Sequence, residues 1–247
     1  MNELKERLNT KVQNISETTR PLKINANYLA LKNNALEIIQ QNLKNQPLSF
    51  SLFDIVKSPA GGSTVFSVPG LSGDEAAKEL TGIILDYSMP RAYWTSPDPV
   101  EGTPPDCSSP DSIISHDGKV CATCPFNDFG SKDGDSNAKA CKESVVLFLL
   151  RPDNIMPLAV RIPVSSKARF QRYLTRLVGN MISLSSVVTK ITLEKTTNRT
   201  GQPYSLYNFE VASELSPDEA DSAKAFAKSF MECVNAEQIN TAVQAAG

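Results

Sequence analysis

Residues 95–142 are rich in Pro, Asp, Ser and Gly and carry no periodic run of apolar side chains. A loop of that length inside a compact domain needs an internal staple. The segment carries one of its own: Cys107, Cys121, Cys124 and Cys141, four of the five cysteines in the chain. The two-residue gap between Cys121 and Cys124 lets both sulfurs face one tetrahedral ion, and the two outlying cysteines close the shell from its flanks. Four thiolates leave no open position for water or substrate, so the role expected of the ion is folding energy and not catalysis. The expected cofactor is one structural zinc ion.

Other readings of the cluster remain open: scattered buried thiols, a redox pair, or an iron–sulfur centre on the same thiolates. The flanking residues Pro104, Pro105, Asp106, Ser108, Asp111, Gly118, Asn127 and Gly130 are loop formers that offer little core to hide a thiol. A redox pair sits at a helix start in a βαβ context, and no such alternation surrounds this one. His116, the only histidine, is an alternative ligand, although a solvent-facing loop residue is the simpler reading. Cys233 stands apart and reads as a small core residue.

With 247 residues, 40% of them hydrophobic and 21% charged, the rest of the chain can bury a core as one large or two small domains. No apolar run approaches the roughly 18 to 20 residues needed to span a bilayer, and MNELKERLNTKVQN lacks the apolar stretch of a signal peptide. A soluble cytoplasmic protein is expected, in a reducing compartment where clustered cysteines indicate metal before disulfides.

Leu29, Leu36, Ile39 and Leu43 space an amphipathic helix over about 27–43, closed by Pro47. Strand patterns follow at 49–56, 64–68, 80–87 and 91–94, with a turn at Pro59 to Gly62, then at 145–151 and 158–164 as a hairpin. Ser165 is placed to cap a helix over 166–181, with Phe170, Tyr173, Leu174, Leu177, Val178 and Met181 as its apolar face. Two longer strands, 185–195 and 204–215, form a second hairpin. Ser216-Pro217-Asp218-Glu219 then opens a helix that runs to about Cys233. Strands dominate without βα alternation, which predicts an α+β fold: an antiparallel β-sheet or small OB-like barrel with a zinc-stapled loop insertion and flanking helices. The expected division is an N-terminal helical arm at 1–46, a β-rich core at 47–215 interrupted at about 95–142, and an acidic C-terminal helix and tail at 216–247.

A formal net charge of -2 conceals a polarised distribution. Between Lys142 and Arg199 ten basic residues (Lys142, Arg151, Arg161, Lys167, Arg169, Arg172, Arg176, Lys190, Lys195, Arg199) face three acidic ones, whereas from Leu206 to the end seven acidic residues face two basic. Basic side chains along one face neutralise phosphates, and aromatics beside them stack on unpaired bases. Tyr87, Arg91, Tyr93 and Trp94 precede the cysteine segment, and Tyr204 and Tyr207 begin the last strand. With the basic residues from Arg151 to Arg199 they form the candidate nucleic-acid-binding set. The competing reading is a solvated basic face and strand aromatics that are simply core. No phosphate-binding glycine loop, nucleophile elbow or His-Glu-x-x-His motif occurs, and paired carboxylates such as Asp133 and Asp135 lie in a polar loop, so no enzyme class is supported.

GIILDYSMPRAYW (82–94), PPDCSSPD (104–111), CATCPFNDFGS (121–131), KACKE (139–143), RFQRYLTRLV (169–178) and TLEKTTN (192–198) together resemble a family of bacteriophage and integrating mobile-element proteins, over roughly residues 80–215. The cysteine signatures PDCSS and CxxCPFN are its most specific part. In architecture the chain is also similar to the zinc-containing single-stranded-DNA-binding proteins of phages. That likeness implies a strand-coating role in replication or recombination, single-stranded DNA as ligand, and replication or recombination proteins as further partners. Here four cysteines stand where those proteins use three and a histidine, and NTAVQAAG lacks an acidic tip for recruiting partners. The leading expectation is a non-enzymatic single-stranded-DNA binder without strong sequence preference. Its rivals are a protein-interaction protein, such as an inhibitor of a host enzyme using the cysteine loop as its surface, and a nuclease or nuclease accessory.

Overall fold

The computed structural model describes residues 28–234 apart from 33, 45, 47, 49–51, 97–99, 101–102 and 133–137. The polar leader, Asp133, Asp135 and the NTAVQAAG terminus lie outside the described residues.

The run VVLFLL organises the fold. It lies in β7 (Lys142–Leu150), whose side chains from Val145 onward are all buried, alternately on the two faces of the sheet. A strand buried on both faces reads as a continuous apolar run and not as an alternating one. Val146, Phe148 and Leu150 enter one core, shared with Tyr28, Phe53, Ile83, Phe226 and Phe230. Val145, Leu147 and Leu149 enter the other, with Ile84, Val160, Ile162, Phe170, Tyr173, Leu177 and Tyr207. The first is closed by helices α1 (Leu29–Lys32), α2 (Ala35–Asn42) and α4 (Pro217–Cys233), the second by α3 (Val164–Gly179).

The main sheet runs β1 (Ile55–Val56), β8 (Leu158–Pro163), β7, β4 (Glu79–Ser88), β9 (Val187–Thr197), β10 (Pro203–Glu214), and it curls into a half-barrel. β1 runs parallel to β8; the other pairings are antiparallel. β4 exchanges partners along its length, pairing β9 through residues 79–82 and β7 through residues 83–88. Gly82 sits at the exchange, where a Cβ would lie 2.4 Å from the Leu150 carbonyl oxygen. The ladder shifts register between Ile84 and Asp86. Beyond Ser88 the line of β4 continues along β7 as β5 (Arg91–Tyr93), interrupted at Pro90, which has no N–H to give to a ladder. β6 (Cys107–Ser109) adds outside β5. A separate hairpin joins β2 (Phe66–Val68) to β3 (Glu75–Ala77).

The α+β class expected from the sequence is observed, with a half-barrel whose parallel β1–β8 edge departs from a purely antiparallel sheet. Both expected hairpins form. The capping box of α4 is present: the Ser216 side chain accepts from the Glu219 N–H, and Glu219 accepts from the Ser216 N–H at 3.0 Å. Helix α3 starts at Val164 behind Pro163, without a side-chain cap, and not behind Ser165. Its Ser166 hydroxyl instead accepts the buried N–H of Tyr207 at 3.0 Å, fastening the helix to β10. Phe170, Tyr173 and Leu177 form the inner face, whereas Met181 lies past the helix end and is 96% exposed. The single helix expected at 27–43 is two, and within the expected strand 49–56 the described part is strand only at Ile55–Val56. No described helix is long and apolar enough to cross a membrane.

Candidate metal centre and its basic, aromatic surround

Short-range polar contacts shape the cysteine segment where apolar residues are lacking. The Asp111 carboxylate accepts from the Ile113 N–H at 2.8 Å and the Ser109 hydroxyl at 2.9 Å. Those bonds, the Ile113 N–H first, hold its carboxyl below the usual range. A small turn follows, with the Ser115 N–H donating to the Lys119 carbonyl (2.9 Å), a bridge between Ile114 and Val120, and Gly118 at φ +80°. Two 3-10 turns, Cys121–Thr123 and Pro125–Asn127, then meet at Cys124. The Asn127 amide donates to the Cys121 carbonyl (3.0 Å), and the Cys141 N–H donates to the Phe126 carbonyl (2.8 Å), which brings the far end of the segment back to its middle.

As a result Cys107, Cys121, Cys124 and Cys141 line one cavity of about 30 Å³, with Arg91, Tyr93 and Phe126 among its walls. That is room for a single small species. All four are free thiols; Cys121 and Cys141 are buried and the other two half-buried. Burial pushes the Cys141 thiol up to about 12, an effect the nearby Arg91 guanidinium partly offsets, and burial also raises Cys107. Thiols so disfavoured as free anions ionise when a cation binds them. Among the described residues no three of these sulfurs lie within 4.8 Å of one another, so holding one ion asks the side chains to turn inward.

The described residues do contain one tighter group, in which ligand atoms of Cys107, His116 and Asp117 lie within 4.8 Å of one another. Two of its members are already engaged. The Nδ1 lone pair of His116 accepts the Ser108 N–H (3.2 Å), while Asp117 accepts from Ser115 and pairs with Lys119, each at 2.5 Å. The Lys119 hydrogen bond foremost, then that of Ser115, lowers the Asp117 carboxyl to about 2. This corner of the protein can therefore bind a metal, through four thiols around a cavity or through a mixed set at its rim that shares Cys107.

Arg91 ties the centre to the sheet. Register places it opposite Glu143, and Nη2 donates to that carboxylate at 2.8 Å while Nε reaches the Ser112 hydroxyl at 3.4 Å. Glu143 also accepts from Lys167 of α3. The Arg91 side chain is 7% exposed as a residue, yet its Nη1 has no hydrogen-bond partner. The Arg91 charge acts on the Cys141 thiol in the direction that favours its thiolate, which fits an anionic thiolate centre.

Five of the candidate nucleic-acid residues gather here: Arg91, Tyr93, Trp94, Arg161 and Lys167. Tyr93 stacks on Phe126 with ring centroids 4.0 Å apart and planes at 11°. Trp94 is half-buried and donates its indole N–H to the Thr103 carbonyl at 3.1 Å. The others are dispersed. Tyr207 is wholly buried against Phe66, out of reach of any base, and Tyr87 packs edge-on to Phe170. Arg151 ends beyond β7 next to Pro152, whose carbonyl holds α1. Arg169 pairs with Glu194, Lys190 with Glu210. Arg172 and Arg176 are exposed on α3, Lys195 and Arg199 are exposed near the β9–β10 turn, and Tyr204 is half-buried on the sheet face opposite Tyr207. Residues absent from that expectation complete the gathering: Phe126, Phe129, Lys132, Lys139 and Lys142. The legible signal was two phenylalanines in a polar loop with no apolar partner nearby in sequence.

The chain matches no protein-family model, no curated protein and no solved structure.

Proposed function

We propose that the protein binds single-stranded nucleic acid through the surface of the cysteine segment, coating single-stranded DNA in phage or mobile-element replication or recombination. One zinc ion on Cys107, Cys121, Cys124 and Cys141 would cross-link that surface and supply folding energy, with no part in bond-making chemistry. The observation that carries the reading is a hollow of about 140 Å³ lined by Tyr93, Trp94, Phe126, Lys132 and Lys142. Aromatic faces beside lysines are what a sequence-indifferent strand binder needs: every base has a π-face to stack and every linkage a phosphate to neutralise. An OB-like binder would use the open face of its barrel, but both faces of this half-barrel are filled by core, and the cysteine segment is the aromatic surface left outward.

A second reading has its own support. Ile113, Ile114, Val120 and Phe129 are all exposed apolar residues on the same segment, which suits protein docking, for instance as an inhibitor of a host enzyme. Titration of labelled oligo-dT and of a duplex of equal length at two salt concentrations separates the two. Strand binding expects tighter association with the single strand and a loss of affinity as salt rises. An absence of oligonucleotide binding at low salt would hand the surface to the docking reading.

A further inference from the structure

A groove of about 600 Å³ meets the cysteine cavity at Cys141, which lines both. Lys139 and Lys142 reach it from the end of the cysteine segment, Arg161 from β8 and Lys167 from α3, and Glu143 is the acid among its lining residues. Glu143 is shared between Arg91 and Lys167, one of the groove's own cations, which leaves Lys139, Lys142 and Arg161 without a carboxylate partner among the described residues. Lys142 and Arg161 form no ion pair among the described residues, and Nη1 of Arg161, shut away from water, has no hydrogen-bond partner. The guanidinium is desolvated enough that burial lowers its proton affinity. Ser144, 2% exposed and also lining the groove, has an unpartnered hydroxyl. A cation surplus in a partly enclosed site calls for an anion with several acceptor oxygens.

The walls say what the anion is attached to. Phe129, 76% exposed, lines the groove with Lys139 seated 4.4 Å over its ring, and Pro163 and Val164 lie along another side. An aromatic face beside several cations, in one groove of about 600 Å³, matches a nucleoside phosphate. Lys142 also lines the Trp94 hollow, so the two basins meet at one lysine.

We propose that this groove is a nucleotide site, with the phosphate held by Lys142, Arg161 and Lys167 and the base laid on Phe129. Resting on the strand-binding reading above, the same strand then passes its next phosphate over Lys142 into the Trp94 hollow. The phosphate can come from a strand or from a free nucleotide, and the test has an arm for each. The full chain is titrated with oligo-dT, thymidine 5′-monophosphate, thymidine and inorganic phosphate, and the oligo-dT and monophosphate titrations are repeated with Lys142→Ala and Phe129→Ala, both exposed positions that leave the core intact. Lys142→Ala is expected to weaken oligo-dT binding and flatten its logarithmic salt dependence by about 0.7, the share of a single phosphate. Phe129→Ala is expected to weaken it by roughly 5- to 150-fold with the salt dependence unchanged. The monophosphate should bind and thymidine should not. Wild-type affinity for oligo-dT in both variants overturns the nucleotide site and leaves strand binding standing. Monophosphate binding that needs Lys142, without any strand binding, supports the groove as a free-nucleotide site and overturns the strand reading. Inorganic phosphate binding as tightly as the monophosphate overturns the nucleotide assignment, and no binding by any probe overturns both readings.

Discussion

β7 and the cysteine segment lie end to end in the chain and are held by opposite means. From Val145 to Leu150 the strand buries every side chain, on two faces, among helices that were amphipathic before they packed. Residues 107–141 bury few apolar groups and hold their course by side-chain-to-backbone bonds from Asp111, Ser115, Asn127 and Ser131. Such bonds contribute about 1 kcal/mol each where they are kept from water and less where they are not. The first region folds because water expels it. For the second we propose a metal cross-link as the further support, and that difference can be tested by removing each support in turn.

The largest effect is expected from the cross-link. Structural zinc sites contribute on the order of 10 kcal/mol to the folding of small zinc-dependent domains. Cys124→Ser, or a strong chelator, should take the metal content from about one zinc per chain to none. Amide exchange across 107–141 should rise to that of an unfolded chain, while amides of β7, β8 and β9 stay protected. Freshly purified, reduced protein without metal yet with a protected segment would refute the division. The next largest belongs to the core: Phe148, wholly buried beside Phe53 at 5.3 Å, should cost about 3–5 kcal/mol on truncation to Ala, read by urea unfolding. Metal affinity should not follow it, since Phe148 touches the core and not the centre.

What the sequence disclosed follows the same boundary. Period and capping expose an element when its own residues decide it, which is why the β7–β8 and β9–β10 hairpins and the Ser216–Glu219 capping box were legible. β6 and β3, three residues each, are too short to show a period; their partners decide them. The same holds for charge. Arg91 meets Glu143 only through β5–β7 register, and Lys167 joins them only when α3 folds over β7 and β8, so a count of basic residues could not tell a free cation from a paired one. Tyr204 and Tyr207 fall on opposite faces of β10, and only the packing of α3 reveals that the second is core. The four cysteines do line one cavity, as their spacing led one to expect, but Cys107 reaches it through the β5–β6 pairing and Cys141 through its bond to Phe126, neither of which the spacing discloses.

Gly82 sharpens the comparison within the core. Its position carries no turn signal, and the reason for glycine is the Leu150 carbonyl, 2.4 Å from where a Cβ would stand. Backbone cannot swing aside as a side chain would, so Gly82→Ala should cost about 1–3 kcal/mol by forcing β4 away from β7 at the point where β4 changes partners. Unfolding in urea measures it. A neutral result would mean that the two ladders of β4 yield more readily than close packing implies.

The smallest effect has the opposite sign, because one position in the sheet works against the burial around it. Asp86 follows the register shift in β4, and its carboxyl is raised above the usual value by burial first, with the Tyr87 N–H at 2.8 Å pulling the other way. A carboxyl whose folded pKa exceeds its unfolded one binds its proton more tightly when folded. The charged form therefore costs stability at neutral pH, and that cost is relieved as pH falls through the folded value towards the unfolded one. Asp86→Asn keeps an oxygen to accept the Tyr87 N–H and removes the charge. It should raise stability at pH 7 slightly, leave it unchanged well below the unfolded carboxyl range, and steepen the acid limb of the stability curve between the two, because the stability Asp86 regains as it takes up its proton is absent. Urea unfolding of both proteins from pH 3 to 7 reads that difference directly. A variant less stable at neutral pH would mean that the Asp86 charge is satisfied by the surrounding sheet, and the core around β4 would then have to be counted as polar at this point.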